Sequence, residues 1–360
     1  MENPESPEVS VVIPCYRGGE HLAEGIESVL AQTFRNFEIV LVDNNVDPET
    51  KVVMERYRNS SPERIRIARE TGQGACSARN RGILESRGEY ISLLDEDDCM
   101  IPEKLERQRK MALENPKASM IVSEYTPINK SSSEKIENYT IGGENSRKSL
   151  EKHLRNIIRE SLPERDPESF MLPLPSTMFF RKKTAIQSGL FDLRLNPTVG
   201  EDEVFNFQMF LEGDIVRISD PLSLYRIGGA SDVSRFRNNP ILFLKKSNRT
   251  FFIIWETLEK RGISWAKPFR KLASFHLRTY GKSLIRFQGG PSIARILFFR
   301  AWKNSPTDFD LLKCFAKSCF PEKLLPRLFW FDQFFPESIS ENISHDKAKE
   351  LFNIPPKWID

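Results

Sequence analysis

The chain has 360 residues, of which 39% are hydrophobic and 29% charged, and its formal net charge at pH 7 is +3. This composition is typical of a soluble globular protein, and no apolar run approaches the roughly 18 residues that a membrane-spanning helix needs. The polar start, Met1 to Glu5, is not a signal peptide. We therefore expect a cytoplasmic protein, either free or at the inner face of the cytoplasmic membrane.

Strands and helices alternate through the first part of the chain. The nearly continuous apolar run Val9–Pro14 is typical of a strand that is buried on both faces of a parallel sheet. Two more strands are predicted at Phe37–Val42 and Ile65–Ala68, and the first of them ends in Asp43-Asn44-Asn45. This rhythm predicts right-handed βαβ units and therefore an α/β fold with a mostly parallel central sheet flanked by helices. Such sheets bind ligands at the carboxyl ends of their strands.

Four consecutive acids, Asp95-Glu96-Asp97-Asp98, follow a fourth predicted strand at Tyr90–Leu94. Like charges repel one another, so we expect a positive partner. Oxygen ligands suit Mg²⁺ or Mn²⁺, and Mg²⁺ usually takes one or two carboxylates together with substrate phosphates. The stretch therefore predicts a metal site that binds a diphosphate. The alternative is a solvated acidic turn before a helix that begins near Pro102.

Three other kinds of site are not predicted. Gly72-Gln73-Gly74 precedes a helix, but Ser77 replaces the third glycine of a dinucleotide fingerprint, so we exclude an NAD site. The sequence contains no phosphate-binding Gly-x-x-x-x-Gly-Lys-Ser/Thr pattern. The five cysteines have unrelated spacings, which predicts neither a disulfide framework nor a zinc site.

Residues 102 to 226 carry further helix and strand patterns. The polar segment Thr126–Arg147 and the proline-rich segment Pro163–Pro175 are of a kind that commonly forms functional loops. A polar island at Gly200–Glu203 opens a helix, where Asp202 has the alternative role of a helix-dipole partner. The other predicted elements are a charged helix after Pro102, a helix around Leu150–Ile158 and strands at Met120–Ser123, Ser176–Arg181, Ile215–Ile218 and Leu222–Arg226.

The chain beyond Ser234 has a different character. Its predicted elements are helices rich in aromatic residues, and from Arg235 to Arg327 it carries 20 lysines and arginines against five acidic residues. This window suits an anionic lipid surface or a polyanionic acceptor, and the alternative is a solvated basic face on helices. We therefore predict a first domain, 1–234, and a basic, aromatic-rich helical C-terminal region, 235–360.

In their order along the chain, the motifs of residues 9–230 resemble those of the family 2 glycosyltransferases, which have the GT-A fold. Each motif is weak alone, whereas the ordered set is specific. The matching stretches are Val9–Tyr16, Ser28–Phe34, Phe37–Asn44, Ala78–Ile83, Gly88–Ser92, Leu94–Asp98, Pro102–Leu105, Gly189–Asp192, Gly200–Asp202 and Tyr225–Arg226. The resemblance implies transfer of a sugar from a nucleotide-diphosphate donor with inversion at the anomeric carbon. It also implies a nucleotide-sugar half, about 9–125, and an acceptor half, about 126–234.

The resemblance assigns roles to individual residues. Asp97 and Asp95 would bind Mn²⁺ or Mg²⁺, with Asp97 as the more direct ligand, and Asp202 would be the general base that deprotonates the acceptor hydroxyl. The residues implied in nucleotide-sugar binding are Pro14, Tyr16, Asp43, Asn44, Arg79, Asn80, Asp95 and Glu96. We expect a UDP-sugar as donor and a glycan or lipid-linked acceptor.

Two departures from the family pattern bear on specificity. Many members have Asp-Asp-Gly-Ser after the second strand, where this chain has Asp43-Asn44-Asn45-Val46. An amide donates as well as accepts hydrogen bonds, which leaves the preferred nucleobase open. The helix that begins with the Glu-Asp pair often carries an arginine in the family, where this chain has Gln208, and this leaves the bracing of the site or the acceptor open.

Three other functions compete with sugar transfer. A catalytically silent protein that binds nucleotide-sugars or glycans would be expected to lack the acids or the base, and this chain retains them. A nucleotidyltransferase usually has a glycine-rich loop with arginine and lysine after the first strand, where this chain has Arg17 as the only cation in Arg17-Gly18-Gly19-Glu20. Nucleic-acid binding through the basic tail is not predicted, because no recognisable module accompanies it.

Overall fold

The computed structural model describes residues 6–129, 131–136, 165–196 and 200–227, together with short pieces of 151–159 and of the chain after residue 249. The chain divides into two compact units, Met1–Glu151 with Arg165–Gly229 and Lys152–Glu164 with Ala230–Asp360. The domain boundary at residue 234 and the donor and acceptor halves of the first domain stay predictions.

The first unit contains eight strands and, among its described residues, six α-helices. The strands are β1 (Val9–Cys15), β2 (Phe37–Asp43), β3 (Ile65–Arg69), β4 (Tyr90–Leu93), β5 (Cys99–Met100), β6 (Ala118–Asn129), β7 (Met178–Arg181) and β8 (Asp214–Ile227). The helices are α1 (Gly19–Leu30), α2 (Pro48–Ser60), α3 (Ala75–Glu85), α4 (Lys104–Glu114), α5 (Lys182–Ser188) and α6 (Glu201–Glu212). The strands form one sheet in the order β3-β2-β1-β4-β7-β6-β8-β5.

The half of the sheet formed by β1 to β4 is parallel and buried. β1 pairs in parallel with β2 and β4, and β2 pairs in parallel with β3. Val11, Val12 and Ile13 are fully buried, as the unbroken apolar run predicts. Helix α3 approaches this sheet closely, because a Cβ atom at Gly82 would lie only 2.2 Å from Cγ1 of Val12. The predicted βαβ arrangement is confirmed.

The other half of the sheet is mixed. β7 is antiparallel to β4 and β6, β8 is parallel to β6, and the short β5 is antiparallel to β8. The two strands predicted at Ile215–Ile218 and Leu222–Arg226 form a single strand, because β8 pairs with β6 along its length and absorbs Pro221 through register shifts. The strand predicted to begin at Ser176 begins at Met178, since Pro175–Thr177 form a 3-10 turn.

The segments that were expected to be loops or helices are described in part. β6 continues to Asn129 and so includes the first residues of the polar segment Thr126–Arg147. The described residues between 151 and 159 are helical, as are most of those described after residue 249, where a short parallel pair also joins Phe287–Gln288 to Ile339–Asn342. Most of the predicted helical region 235–360 lies outside the described residues. Among the helices that the structure describes, none is long and apolar enough to cross a membrane.

Candidate functional site

The carboxyl ends of β1, β2 and β4 meet at one edge of the sheet, because these strands are parallel and adjacent. Cys15, the last residue of β1, pairs with Asp43, the last residue of β2. The loops that leave this edge carry Tyr16, Asn44 and Asp95. The topology therefore brings together most of the residues predicted to bind the nucleotide-sugar, in the place where open α/β sheets bind ligands.

Glu96 holds the loop that follows β1. Its two carboxylate oxygens accept the backbone N–H groups of Tyr16 at 2.7 Å and of Arg17 at 3.0 Å. Burial raises the pKa of Glu96 to about 7, although these two hydrogen bonds favour the charged form. Pro14 is half-buried, and the exposed Tyr16 ring lies 4.9 Å from the guanidinium carbon of Arg17. Glu96 thus fixes the backbone of this loop at the edge of the sheet where the parallel strands end.

Asn44 holds the loop that follows β3. Its Nδ2 donates to the carbonyl oxygens of Glu70 at 3.1 Å and Gly72 at 2.8 Å, and its Oδ1 accepts the N–H of Gly74 at 2.9 Å. The side chain is buried, so these contacts use its amide within the protein. Asp43 is half-buried, with Oδ1 accepting the Val46 N–H at 3.2 Å. Direct contact of Asn44 with a nucleobase stays a prediction, whereas its support of the loop is visible.

Asp98 is a structural acid of the interior. It is fully buried, with Ser176 Oγ donating to it at 2.5 Å and the Arg226 N–H at 2.9 Å. Burial raises its pKa, and the charges of Asp97 and Asp95 add to this effect. The alternative of a solvated acidic turn is therefore wrong for Asp98, and the residue that directly precedes α4 is Glu103.

Asp95, Glu96 and Asp97 are all partly exposed. Because Glu96 is hydrogen-bonded to the loop after β1, Asp95 and Asp97 are the two candidate metal ligands. The described residues contain no group of three or more potential metal ligands. Two carboxylates are nevertheless the oxygen donors that Mg²⁺ or Mn²⁺ takes when phosphate and water complete its shell. These two carboxylates are of the type that would hold such an ion together with a diphosphate, and metal binding by Asp95 and Asp97 stays a prediction.

Arg79 joins the acidic turn to the start of α6. Its Nη2 donates to Asp95 Oδ1 at 2.7 Å and its Nη1 donates to Glu201 Oε1 at 2.8 Å. The side chain is buried, which by itself lowers the pKa, but the two carboxylates more than offset this and hold the pKa above its usual range. Burial raises the pKa of Glu201, against the effect of Arg79. One charged guanidinium therefore bridges two carboxylates that are far apart in sequence.

Asp202 follows Glu201 in the first turn of α6. Gly200 precedes the helix with a φ of 100°, a left-handed conformation that favours glycine. Three acids in this first turn interact favourably with the helix dipole, and Asp202 is only 7% exposed. The Arg79 bridge thus ties the residue predicted as base to the turn that carries Asp95.

Asn80, predicted to support the nucleotide, forms hydrogen bonds to the backbone of Phe191. Its Nδ2 donates to the Phe191 carbonyl oxygen at 2.8 Å, and its Oδ1 accepts the Phe191 N–H at 2.9 Å. Three further residues of the site were not predicted, namely Ser176, Lys104 and Asn196. Their contacts span roughly 70 to 120 residues. Lys104 lies within the motif Pro102–Leu105, but no local pattern predicts the contacts of the three residues.

Residues 10–183 match the model of glycosyl transferase family 2. Over these residues the chain is similar to the family 2 glycosyl transferases. An uncharacterised glycosyltransferase of Rickettsia typhi is 37% identical over 107 residues, which are 30% of this chain and 32% of that protein. Glycosyltransferase GlyG of Streptococcus pneumoniae is 31% identical over 118 residues, which are 32% of this chain and 38% of that protein. The match thus spans only about a third of the length of these curated relatives.

The fold of this chain is similar to that of solved structures. A structure of S. aureus TarS 1-349 in complex with UDP-GlcNAc has a TM-score of 0.52 at 16% identity, covering 89% of this chain and 92% of that one. A complex of the same protein with UDP has a TM-score of 0.50 and covers 91% of that chain. At this identity the similarity establishes the fold alone. The prediction of an α/β fold of the GT-A type is confirmed.

Proposed function

We propose that this protein is an inverting glycosyltransferase that moves a sugar from a nucleotide-diphosphate donor to a hydroxyl group of a glycan or lipid-linked acceptor. The observation that carries the proposal is the Arg79 bridge, which joins the acidic turn of Asp95 to the helix start that bears Asp202. The family 2 match of residues 10–183 supports the reaction class. The structures of TarS are complexes with UDP and with UDP-GlcNAc, which supports a UDP-sugar as donor.

The protein's own groups account for the steps of a single displacement. The Asp202 carboxylate would accept the proton of the acceptor hydroxyl as its oxygen forms a bond to the anomeric carbon. The bond from that carbon to the diphosphate breaks on the opposite face, and the nucleoside diphosphate leaves with the electron pair. Asp95 and Asp97 would hold Mg²⁺ or Mn²⁺, which when bound neutralises charge on the leaving diphosphate.

The neighbouring groups would keep the acidic turn and the first turn of α6 in fixed positions relative to each other. Arg79 places positive charge between the partly exposed Asp95 and the buried Glu201, which offsets the repulsion between these two carboxylates. Glu96 fixes the loop that carries Tyr16, and Asn44 fixes the loop that carries Gly72. Both loops flank the edge where the nucleoside would lie.

The decisive experiment is the substitution Asp202→Asn, followed by measurement of nucleoside diphosphate release in the presence of acceptor. Loss of a general base lowers kcat by roughly 10² to 10⁴-fold and changes donor affinity little. Glu203→Gln, the same chemical change in the same helical turn, is the matched control and should stay within about threefold of wild type. A rate for Asp202→Asn above about a third of the wild-type rate would show that Asp202 is not the base.

The same assay separates the other readings. A silent binding protein would bind UDP-sugars and release no nucleoside diphosphate with any acceptor. A nucleotidyltransferase would release pyrophosphate from a nucleoside triphosphate and a sugar phosphate, so that mixture is tested in parallel.

A further inference from the structure

Helix α3 is joined by polar side chains to a segment more than 100 residues later, here called the docked segment, residues 191–196. Asn80 makes two hydrogen bonds to the backbone of Phe191, at 2.8 and 2.9 Å. Asn196 Oδ1 accepts the N–H of Cys76 at 3.0 Å, and Asn196 Nδ2 donates to Ser77 Oγ at 2.6 Å. The docked segment is therefore fastened to α3 near both of its own ends.

Asn196 occupies the N-terminal end of α3. The first N–H groups of a helix have no partner inside the helix, and α3 has no side-chain cap from its own N-cap residue, Gly74. Asn196 approaches so closely that a Cβ at Gly74 would lie 2.5 Å from its Oδ1. The chain itself thus uses a position at which many α/β proteins bind phosphate.

The side chain of Phe191 connects the docked segment to α6 by packing on it. Its ring stacks on the ring of Phe205, with centroids 4.1 Å apart and an angle of 10° between planes. Phe205 is three residues after Asp202 and lies close to the first turn of α6, which also receives the Arg79 bridge. Phe191 and Phe205 are both essentially inaccessible to solvent, so this stack leaves little room for rotation of the helix.

We propose that Asn80 is a positioning residue for sugar transfer: it holds the backbone of Phe191, whose ring sets the placement of α6 and so of Asp202 relative to the acidic turn. The oxygen and one N–H of the Asn80 amide are bonded to the backbone of Phe191, which links the side chain to the base end of the site. This inference rests on the proposed function, because the proposed function is what makes Asp202 the general base.

The test is Asn80→Ala in the full chain, with Arg81→Ala as the control on the same helix. Arg81 is exposed and pairs along the helix surface with Glu85. Misplacement of a catalytic group lowers kcat by as much as 100-fold, so we expect a 10- to 100-fold loss for Asn80→Ala with the donor KM and the affinity for UDP within twofold of wild type. Arg81→Ala should keep both constants.

Hydrogen exchange supplies a second readout that needs no activity. In Asn80→Ala, the amides of the second turn of α6, around Phe205, should exchange faster than in wild type, while those of the loop at residues 70–74 should not change. If Asn80→Ala does not fold, Asn80→Ser is measured in its place, because its hydroxyl keeps a polar group at this position.

The outcomes are distinct. A tenfold or larger rise in donor KM with unchanged kcat would mean that Asn80 contacts the donor, and the positioning role would be overturned. Unchanged kcat together with unchanged exchange in α6 would overturn it equally. If wild type itself transfers no sugar, the proposed function fails, and the exchange measurement alone decides whether Asn80 positions α6.

Discussion

Each of the four consecutive acids has a different environment, and this decides what each one does. Glu96 accepts two backbone N–H groups, and Asp98 is fully buried against Ser176 and the backbone of Arg226. Asp95 pairs with Arg79 and remains partly exposed, as does Asp97. The repulsion within this run of like charges is therefore offset by the guanidinium of Arg79, by backbone N–H groups and by the Ser176 hydroxyl.

Asp97→Ala is expected to weaken the Mn²⁺-dependent binding of UDP. Removing one carboxylate from a site with so few protein ligands should reduce metal and nucleotide affinity together, by roughly tenfold or more. Calorimetric titration of UDP with and without Mn²⁺ measures this. Asp220→Ala, which removes an exposed acid paired with Arg107, is the control. Equal Mn²⁺ dependence in wild type and Asp97→Ala would contradict the metal assignment.

Lys104 is a buried amine near the acidic turn, and its titration should be visible in the stability of the protein. It is fully buried, and its Nζ donates to the Ser176 carbonyl oxygen at 2.5 Å. Burial lowers its pKa to about 7 from an ordinary value of 10.5, although Asp98 and Asp95 oppose this. Between these two values the unfolded chain binds more protons than the folded protein, so this lysine makes stability rise with pH.

Lys104→Met should therefore flatten the pH dependence of stability between pH 7 and 10. The wild-type slope from this group is at most about 1.4 kcal/mol per pH unit in the free energy of unfolding. Urea unfolding at pH 7, 8 and 9 measures it, with Lys110→Met, an exposed lysine on the same helix, as control. If wild type and Lys104→Met gave parallel curves, Lys104 would be charged across this range in the folded protein.

At the scale of elements, α3 is the helix on which the site depends. One face packs on β1 and β2, and the residues of its first two turns contact the acidic turn, the docked segment and the start of α6. Its position is set by the close approach of Gly82 to Val12. A shift of this helix would consequently move Arg79 and Asn80 together.

Gly82→Ala should test this packing directly. The new methyl group would lie 2.2 Å from Val12 Cγ1 and 3.0 Å from Val42 Cγ2, so α3 or the strands must move. Overpacking of this kind typically lowers the free energy of unfolding by about 1–3 kcal/mol. Leu84→Ala, at an exposed position of the same helix, should change it by less than about 0.5 kcal/mol. Equal urea midpoints for Gly82→Ala and wild type would mean that the contact is not tight.

At the scale of the whole molecule, positive charge is concentrated in one window of the sequence. Residues 235–327 carry 20 lysines and arginines against five acids, although the net charge of the chain is only +3. Most of this window lies outside the described residues, so its proposed role rests on sequence. A basic region rich in aromatic residues suits peripheral attachment to an anionic membrane, where a lipid-linked acceptor would lie.

We therefore expect the full chain to sediment with anionic vesicles at low salt and to be released at high salt. Attraction between surface charges is screened beyond about 10 Å at 0.1 M salt, whereas apolar packing is not. Vesicles of neutral lipid are the control and should leave the protein in the supernatant. If the protein stayed in the supernatant with anionic vesicles at low salt, the basic window would serve internal packing or contact with another subunit.

The sequence by itself determined the parallel half of the sheet and the polar residues that follow its strands. The apolar run Val9–Pro14 predicted β1, because burial on both faces demands unbroken apolar residues. The ordered motifs indicated the family 2 domain and directed attention to Asp95, Asp97 and Asp202. These features could be predicted because they are local: a strand, a turn and a helix start are each written in a few consecutive residues.

Only the tertiary structure decided how these local features are connected. In the structure Asp98 is buried, whereas Asp97 is partly exposed. Asn44 and Asn80 form hydrogen bonds to backbone groups, and the Ser176 hydroxyl donates to Asp98. Each of these hydrogen bonds joins residues 28 to 111 positions apart. Which polar groups meet at that separation depends on how the strands are ordered in the sheet, and no pattern in consecutive residues encodes it.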